Sequence, residues 1–116
     1  MAATKVDLTK MKREVLLKKP DSQAVSATDG ALVKFAGNDE KILIIVENSG
    51  TSAESVAVKA GNGIQGVSDL TLSASAGSVN FLVVESGKYK VMSGEGKGCV
   101  KITASANVKL SAVLLP

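Results

Sequence analysis

The chain has 116 residues, 45% of them apolar and 22% charged, and a net charge of +3. That length fits one domain, and area scaling lets roughly 65% of the unfolded surface be buried, so a packed core needs no covalent staple. The absence of histidine and the single cysteine remove the commonest general base, the commonest metal ligand, any internal disulfide and any cysteine-rich zinc site.

The charge is concentrated at the start. Within the first 20 residues Lys5, Lys10, Lys12, Arg13, Lys18 and Lys19 face only Asp7 and Glu14, whereas the remainder holds eight basic and nine acidic residues. A basic arm of this kind suits nucleic acid, an acidic protein surface or a membrane, or is simply a solvated leader. Thr4-Lys5-Val6-Asp7 has the form of a helix-capping box, and Leu8, Met11 and Val15 share a helical face that Pro20 would end. Residues 14–18 read equally well as a short strand. Residues 20–30 are small and polar, with Asp29-Gly30 marking a turn. The expected organisation is therefore a basic docking arm over residues 1–29 and a folded domain over residues 30–116. No apolar signal-peptide core follows Met1, and the longest aliphatic run, residues 42–46, is far shorter than a membrane span. The expectation is synthesis in a reducing cytoplasm and no membrane partner.

From Ala31 onward the pattern is β. Strands are expected at 31–35, 41–47, 55–60, 69–75, 79–85, 89–92, 99–103 and 108–114. Gly-, Asn- and Ser-rich turns separate them, residues that tolerate positive φ or bond the local backbone. Short strands at roughly ten-residue spacing, with no intervening helices, predict an all-β fold: a compact antiparallel β-sandwich or barrel-like domain. Alternation gives several strands one buried and one wet face. Leu70, Leu72 and Ala74 oppose Thr71, Ser73 and Ser75. Val100 and Ile102 oppose Lys101 and Thr103. Val108, Leu110, Ala112 and Leu114 oppose Lys109 and Ser111. Residues 42–46 and 81–84 are apolar on both faces, so Leu43, Ile45, Leu82 or Val84 needs cover from the rest of the chain, from the arm or from a second protein.

The motifs that suggest chemistry are weak. Gly61-Asn62-Gly63-Ile64-Gln65-Gly66 matches the dinucleotide spacing, and Glu85 lies where a ribose-binding acid would. A strand pattern follows it, however, not the helix whose N-terminus would face the pyrophosphate. Gly94-Glu95-Gly96-Lys97-Gly98 lacks the Gly-Lys-Ser/Thr of a phosphate loop and reads as a hairpin tip. Cys99 has no histidine to activate it. Asp39, Glu40 and Glu95 are too scattered for a calcium site, and one tyrosine without tryptophan offers little platform for sugars or bases. No enzymatic activity, cofactor, metal site or nucleic-acid partner is expected.

Residues 29–33, 39–48, 58–70, 84–89 and 97–103, with the ending Ala112-Val113-Leu114-Leu115-Pro116, carry a spread pattern of strands and turns. Over residues 29–116 that pattern resembles small head decoration (capsid cement) proteins of tailed bacteriophages. The resemblance implies a non-enzymatic structural virion protein on the outer capsid surface. It would bind the shell of major capsid protein, stabilise it, and form a homo-oligomer in some cases. The arm lies outside the resemblance. Family members commonly reach onto the capsid with a terminal arm, which makes Lys10, Met11, Arg13, Val15, Leu16, Leu17, Lys18 and Lys19 the candidate capsid-binding residues. The alternative is a carbohydrate-binding or adhesin-like β-sandwich displayed on a virion.

Overall fold

A computed structural model describes residues 3–35, 41–61, 68–84, 86–91, 97–105 and 107–116. Within them ten strands form two mixed sheets packed face to face as a β-sandwich. The strands are β1 (Thr4–Val6), β2 (Leu8–Lys10), β3 (Gln23–Ala24), β4 (Ala31–Lys34), β5 (Ile42–Asn48), β6 (Glu54–Val58), β7 (Leu70–Ala74), β8 (Val79–Leu82), β9 (Cys99–Thr103) and β10 (Val108–Leu114). One sheet has the order β1-β4-β9-β6-β7. The other has β2-β10-β5-β8, with β3 also paired to β10. The two contacts of β1 with β4 and of β2 with β10 are parallel; the rest are antiparallel. The expected all-β sandwich is what forms.

The longest pairing is β5 with β10, in register over seven residues from Ile42↔Leu114 to Asn48↔Val108. Ile42, Ile44, Leu110, Val108 and Ala112 turn inward and meet Val33, Val56, Val58, Val100 and Ile102 of the opposite sheet. β-branched residues dominate because they fit a pleated, half-buried surface. Asn48 is the exception in this interior, 1% exposed. Its side-chain amide donates to the carbonyls of Ser52 (2.8 Å) and Ala74 (3.0 Å), and its oxygen accepts from the Gly50 amide (2.9 Å). A buried amide so fully bonded ties the end of β5 to β7 across the two sheets without a desolvation penalty left over.

The largest departure from expectation lies in the first 29 residues, which are not a separate arm. β1, β2 and β3 are strands of the two sheets, and Val6 and Val25 are 2% and 1% exposed within the core. The chain crosses from one sheet to the other at Asp7, and Thr4 bonds forward through its hydroxyl to the Ala24 carbonyl (2.8 Å). Neither the helix suggested by Leu8, Met11 and Val15 nor a strand at 14–18 forms. Sheet edges offered unpaired backbone to residues 4–10, and those ladder bonds outcompete a short helix in isolation. A second departure shortens the strand expected at 89–92. Lys90 bridges Val100 antiparallel and the Val91 amide donates to the Cys99 carbonyl, residue 92 lies outside the described residues, and Tyr89 belongs to a helical turn instead. Residues Ser86–Tyr89 make one helical turn, Tyr89 packs on the core, and the Lys88 carbonyl accepts from the Gly61 amide (2.9 Å).

Two turns depend on glycine. Gly30 has φ +75° and closes the turn after β3 by donating its amide to the Ser26 carbonyl (2.8 Å). A Cβ there would sit 2.8 Å from the Ile102 carbonyl oxygen. Gly77 has φ +67° but open space around it. Gly77→Ala should therefore lose only the left-handed backbone cost, about 1–2 kcal/mol. Gly30→Ala should lose roughly 1–3 kcal/mol more, because the β9 backbone has to move as well. Urea unfolding of the two variants measures both, and equal losses would mean that β9 does not crowd Gly30.

Candidate functional site

The residues between β2 and β3 form a strap. It leaves the sheet at Met11, whose amide donates to the Leu114 carbonyl (2.9 Å), and returns at Val25, whose amide donates to the Val108 carbonyl (3.0 Å). Both anchors lie on β10. Between them Lys19 and Ser22 reach Glu47 of β5. Glu47 lies opposite Lys109 and, with Ile45, on the outer face of the sheet. The strap is therefore laid across that outer face. Ile45, Val113 and Ser111 on that face are at most 5% exposed although none belongs to the inter-sheet core cluster. This corrects the expectation of a wet face at Ser111. The cover expected over Ile45 comes from this chain itself.

Glu47 is the polar fastener. Its carboxylate accepts from the Ser22 hydroxyl and, at 3.3 Å, from the Lys19 ammonium, which also donates to the Ser22 hydroxyl and the Pro20 carbonyl, each at 2.9 Å. The Ser22 hydrogen bond holds the Glu47 carboxyl below its ordinary pKa; partial burial opposes this, and the bond and charge of Lys19 and the charge of Lys109 assist. The other ion pair among the described residues, Lys59–Asp69 at 2.6 Å, closes the base of the glycine-rich loop. There Asp69 also accepts from the Ala60 amide (2.7 Å).

The eight sequence-predicted binding residues divide into two groups. Leu17 is half-buried and Lys19 is engaged with Glu47, so both serve the attachment of the strap. Lys10, Met11, Arg13, Val15, Leu16 and Lys18 are exposed. The chain turns over at Glu14, a left-handed residue with φ 61°, and this throws Val15 and Leu16 outward, 58% and 101% exposed. The surface thus combines apolar tips with Lys10, Lys12, Arg13 and Lys18 around them.

A second apolar region was not singled out as a site by sequence reasoning. Val79, Phe81 and Val83 are 52%, 67% and 55% exposed on or just beyond β8, the free edge of its sheet. Their alternates Leu82 and Val84, two of the residues expected to need cover, pack on the core. Beside them Leu72 is 37% exposed, because β7 is itself an edge strand and the sandwich stays open between β7 and β8. A cavity of about 260 Å³ lies in that seam, lined by Val46, Val56, Leu72, Ala74, Asn80 and Leu82 among others, none of them titratable.

Of the motifs that suggested chemistry, residues 39–40, 62–66, 85 and 94–96 lie outside the described residues. Gly61 packs so closely that a Cβ would strike the Lys90 carbonyl, which gives this glycine a packing reason. Among the described residues no three acidic, cysteine or histidine side chains cluster as metal ligands. Cys99 is half-buried and free. No protein-family model, curated protein or solved structure matches this chain.

The depressed Glu47 pKa fixes a sign. Its contribution is complete above the unfolded-state pKa and is lost as pH falls through the lower folded-state value, so the strap loosens below about pH 4.5. NMR titration should place the Glu47 carboxyl below its ordinary value in the native chain and move it back up in Ser22→Ala. A Glu47 titration unchanged by that substitution would remove the Ser22 bond as the fastening contact.

Proposed function

We propose that this protein is a structural binding module, a decoration protein that docks on the outer surface of a capsid shell and braces it. The observation that carries the reading is the strap: an ordered, solvent-facing loop with apolar tips and basic flanks, fastened at both ends and at Glu47 to a rigid sandwich. Such a surface fits an acidic protein lattice with apolar recesses. The likeness of residues 29–116 to phage head decoration proteins supplies the lattice: the major capsid protein. Lys10, Lys12, Arg13 and Lys18 steer the approach and set its register, while exposed ion pairs add only about 0–1 kcal/mol each. Burial of Val15, Leu16 and Met11 supplies the larger part, at about 25 cal/mol per Å² of apolar surface. Repetition over a shell multiplies modest single-site affinity when copies are linked. The glycan-binding alternative gains nothing from Tyr89, the single tyrosine, whose ring packs on the core.

Deleting the first 29 residues does not test this reading, because it would remove Val6 and Val25 from the core. Point changes at exposed tips do. Heads of the phage encoding this chain, prepared without it, should bind the purified protein saturably. The double change Val15→Ser and Leu16→Ser should weaken binding by about 10- to 100-fold, with the melting temperature unchanged. Lys12→Glu with Arg13→Glu should weaken it most at low salt. Heads that bind both variants like the native chain, or do not bind the native chain at all, would overturn the proposal.

A further inference from the structure

We infer that the β8 edge is a self-association surface, and that two copies of this chain join there by antiparallel strand pairing into one continuous sheet. The inference is independent of the capsid reading. It rests on how this protein treats its four sheet edges. Natural sandwiches blunt edges with lysines, very short strands or polar side chains, because a bare edge recruits another strand. β1 and β2 are three residues long and carry Lys5 and Lys10. β7 presents Thr71 and Ser73 and is preceded by Asp69. β8 is also short, four residues, but it carries no charge: residues 75–84 contain no charged residue at all, and its one polar side chain, Asn80, is turned to the Val46 carbonyl and the Ser78 hydroxyl.

The register on the bare edge is self-complementary. The Asn48 amide donates to the Ser78 carbonyl (3.0 Å), and β8 pairs β5 from Ile44↔Leu82 to Glu47↔Val79. In an antiparallel ladder alternate residues bond to the same neighbour, so the main-chain groups of Asn80 and Leu82 face β5. Those of Val79, Phe81 and Val83 face outward. A two-fold axis through Phe81 then sets Phe81 against its own copy and Val79 against Val83 of the second copy. About six main-chain hydrogen bonds form, all from groups that the edge leaves open. The same pairs stack side chains on one face as Phe–Phe and Val–Val, the combinations that stabilise cross-strand contacts.

Charge selects the occupant. A chain of net charge +3 with a basic strap repels itself through the strap, whereas this edge is neutral and meets its own copy without an electrostatic cost. Four side chains per copy, a third to two-thirds exposed, and two short backbones make a small interface. It falls below about 1,200 Å² in total, the range of reversible association. Because directly opposed residues share a face, the two straps end on the same side of the joined sheet.

Sedimentation velocity over about 5–500 µM should show a monomer–dimer equilibrium that Phe81→Lys shifts to monomer by tenfold or more in concentration. Phe81 is exposed, so the variant should keep its melting temperature. With Cys99→Ser in the background, Phe81→Cys should cross-link to a dimer under mild oxidation. Directly hydrogen-bonded pairs hold Cα atoms about 5.5 Å apart, within disulfide reach. Leu16→Cys, on the strap, should cross-link far more slowly. A native chain that stays monomeric at the highest concentration overturns the inference, and so does a dimer indifferent to Phe81→Lys. A monomeric chain whose particle binding is lost on Phe81→Lys would assign the edge to the partner and overturn it equally.

Discussion

The central strand pair has to be covered on both faces, and most of the architecture follows from that. β5 and β10 are joined over seven residues, are almost wholly apolar on the inside, and carry Leu43, Ile45 and Val113 beside Glu47, Lys109 and Ser111 on the outside. The opposite sheet covers the inner face. On the outer face the chain fastens its own residues 11–22 to Glu47, with both ends anchored on β10. Closing a loop of that length costs about 2 kcal/mol in chain entropy. Burying side chains such as Ile45 and Val113 contributes roughly 1.5–3 kcal/mol each against that closure cost and the further cost of ordering the strap's own residues, so polar fastening matters as well. The bonds of Ser22 and Lys19 to Glu47 then fasten the strap in that position.

This constraint also explains what could be read from the sequence and what could not. β9 and β10 fall at 99–103 and 108–114, where alternation and flanking turn residues place them, and β4 to β8 fall within one to three residues of expectation at each end. These strands carry period-2 patterns and local turns, and both signals are short-range. Residues 1–30 carry no sustained alternation, and Asp29-Gly30 is their clearest turn signal. β1 to β3 are two or three residues long, and their partners lie across the fold, with two of the pairings parallel. A three-residue strand has no resolvable period, so the spacing of Leu8, Met11 and Val15 mimicked a helix. Leu72 fits the alternation of β7 but is left partly exposed, because edge position is a property of the sheet and not of the strand. For the candidate surface, the basic and apolar residues of the strap were legible from composition. The engagement of Lys19 was not, since it depends on a carboxylate 28 residues away.

The order of the strap changes how docking energy is distributed. A floppy arm would lose conformational entropy when it bound, about 1–2 kcal/mol for each residue fixed. A strap already fastened at Met11, Lys19, Ser22 and Val25 has lost that freedom on folding, so apolar contacts at its tip translate more directly into affinity. The left-handed turn at Glu14 fits this logic. A non-glycine residue at φ 61° is unfavourable locally and persists where surrounding contacts hold it, and here it turns Val15 and Leu16 away from the protein.

The two exposed apolar surfaces differ in the one property that keeps their uses apart. The strap is basic, and the β8 edge is uncharged. Screened Coulomb repulsion discourages two straps from meeting but leaves two β8 edges free to do so. An acidic partner reverses the first preference and does not alter the second. A joined pair would present two straps on one face, and a second attachment made within the same complex proceeds at the effective concentration set by their spacing rather than by bulk concentration. On the proposed reading, weak pairing and weak docking would reinforce each other on a repeating acidic surface. Because each would be reversible in free solution, surfaces of this kind would favour attachment to a lattice without committing the protein to aggregation beforehand.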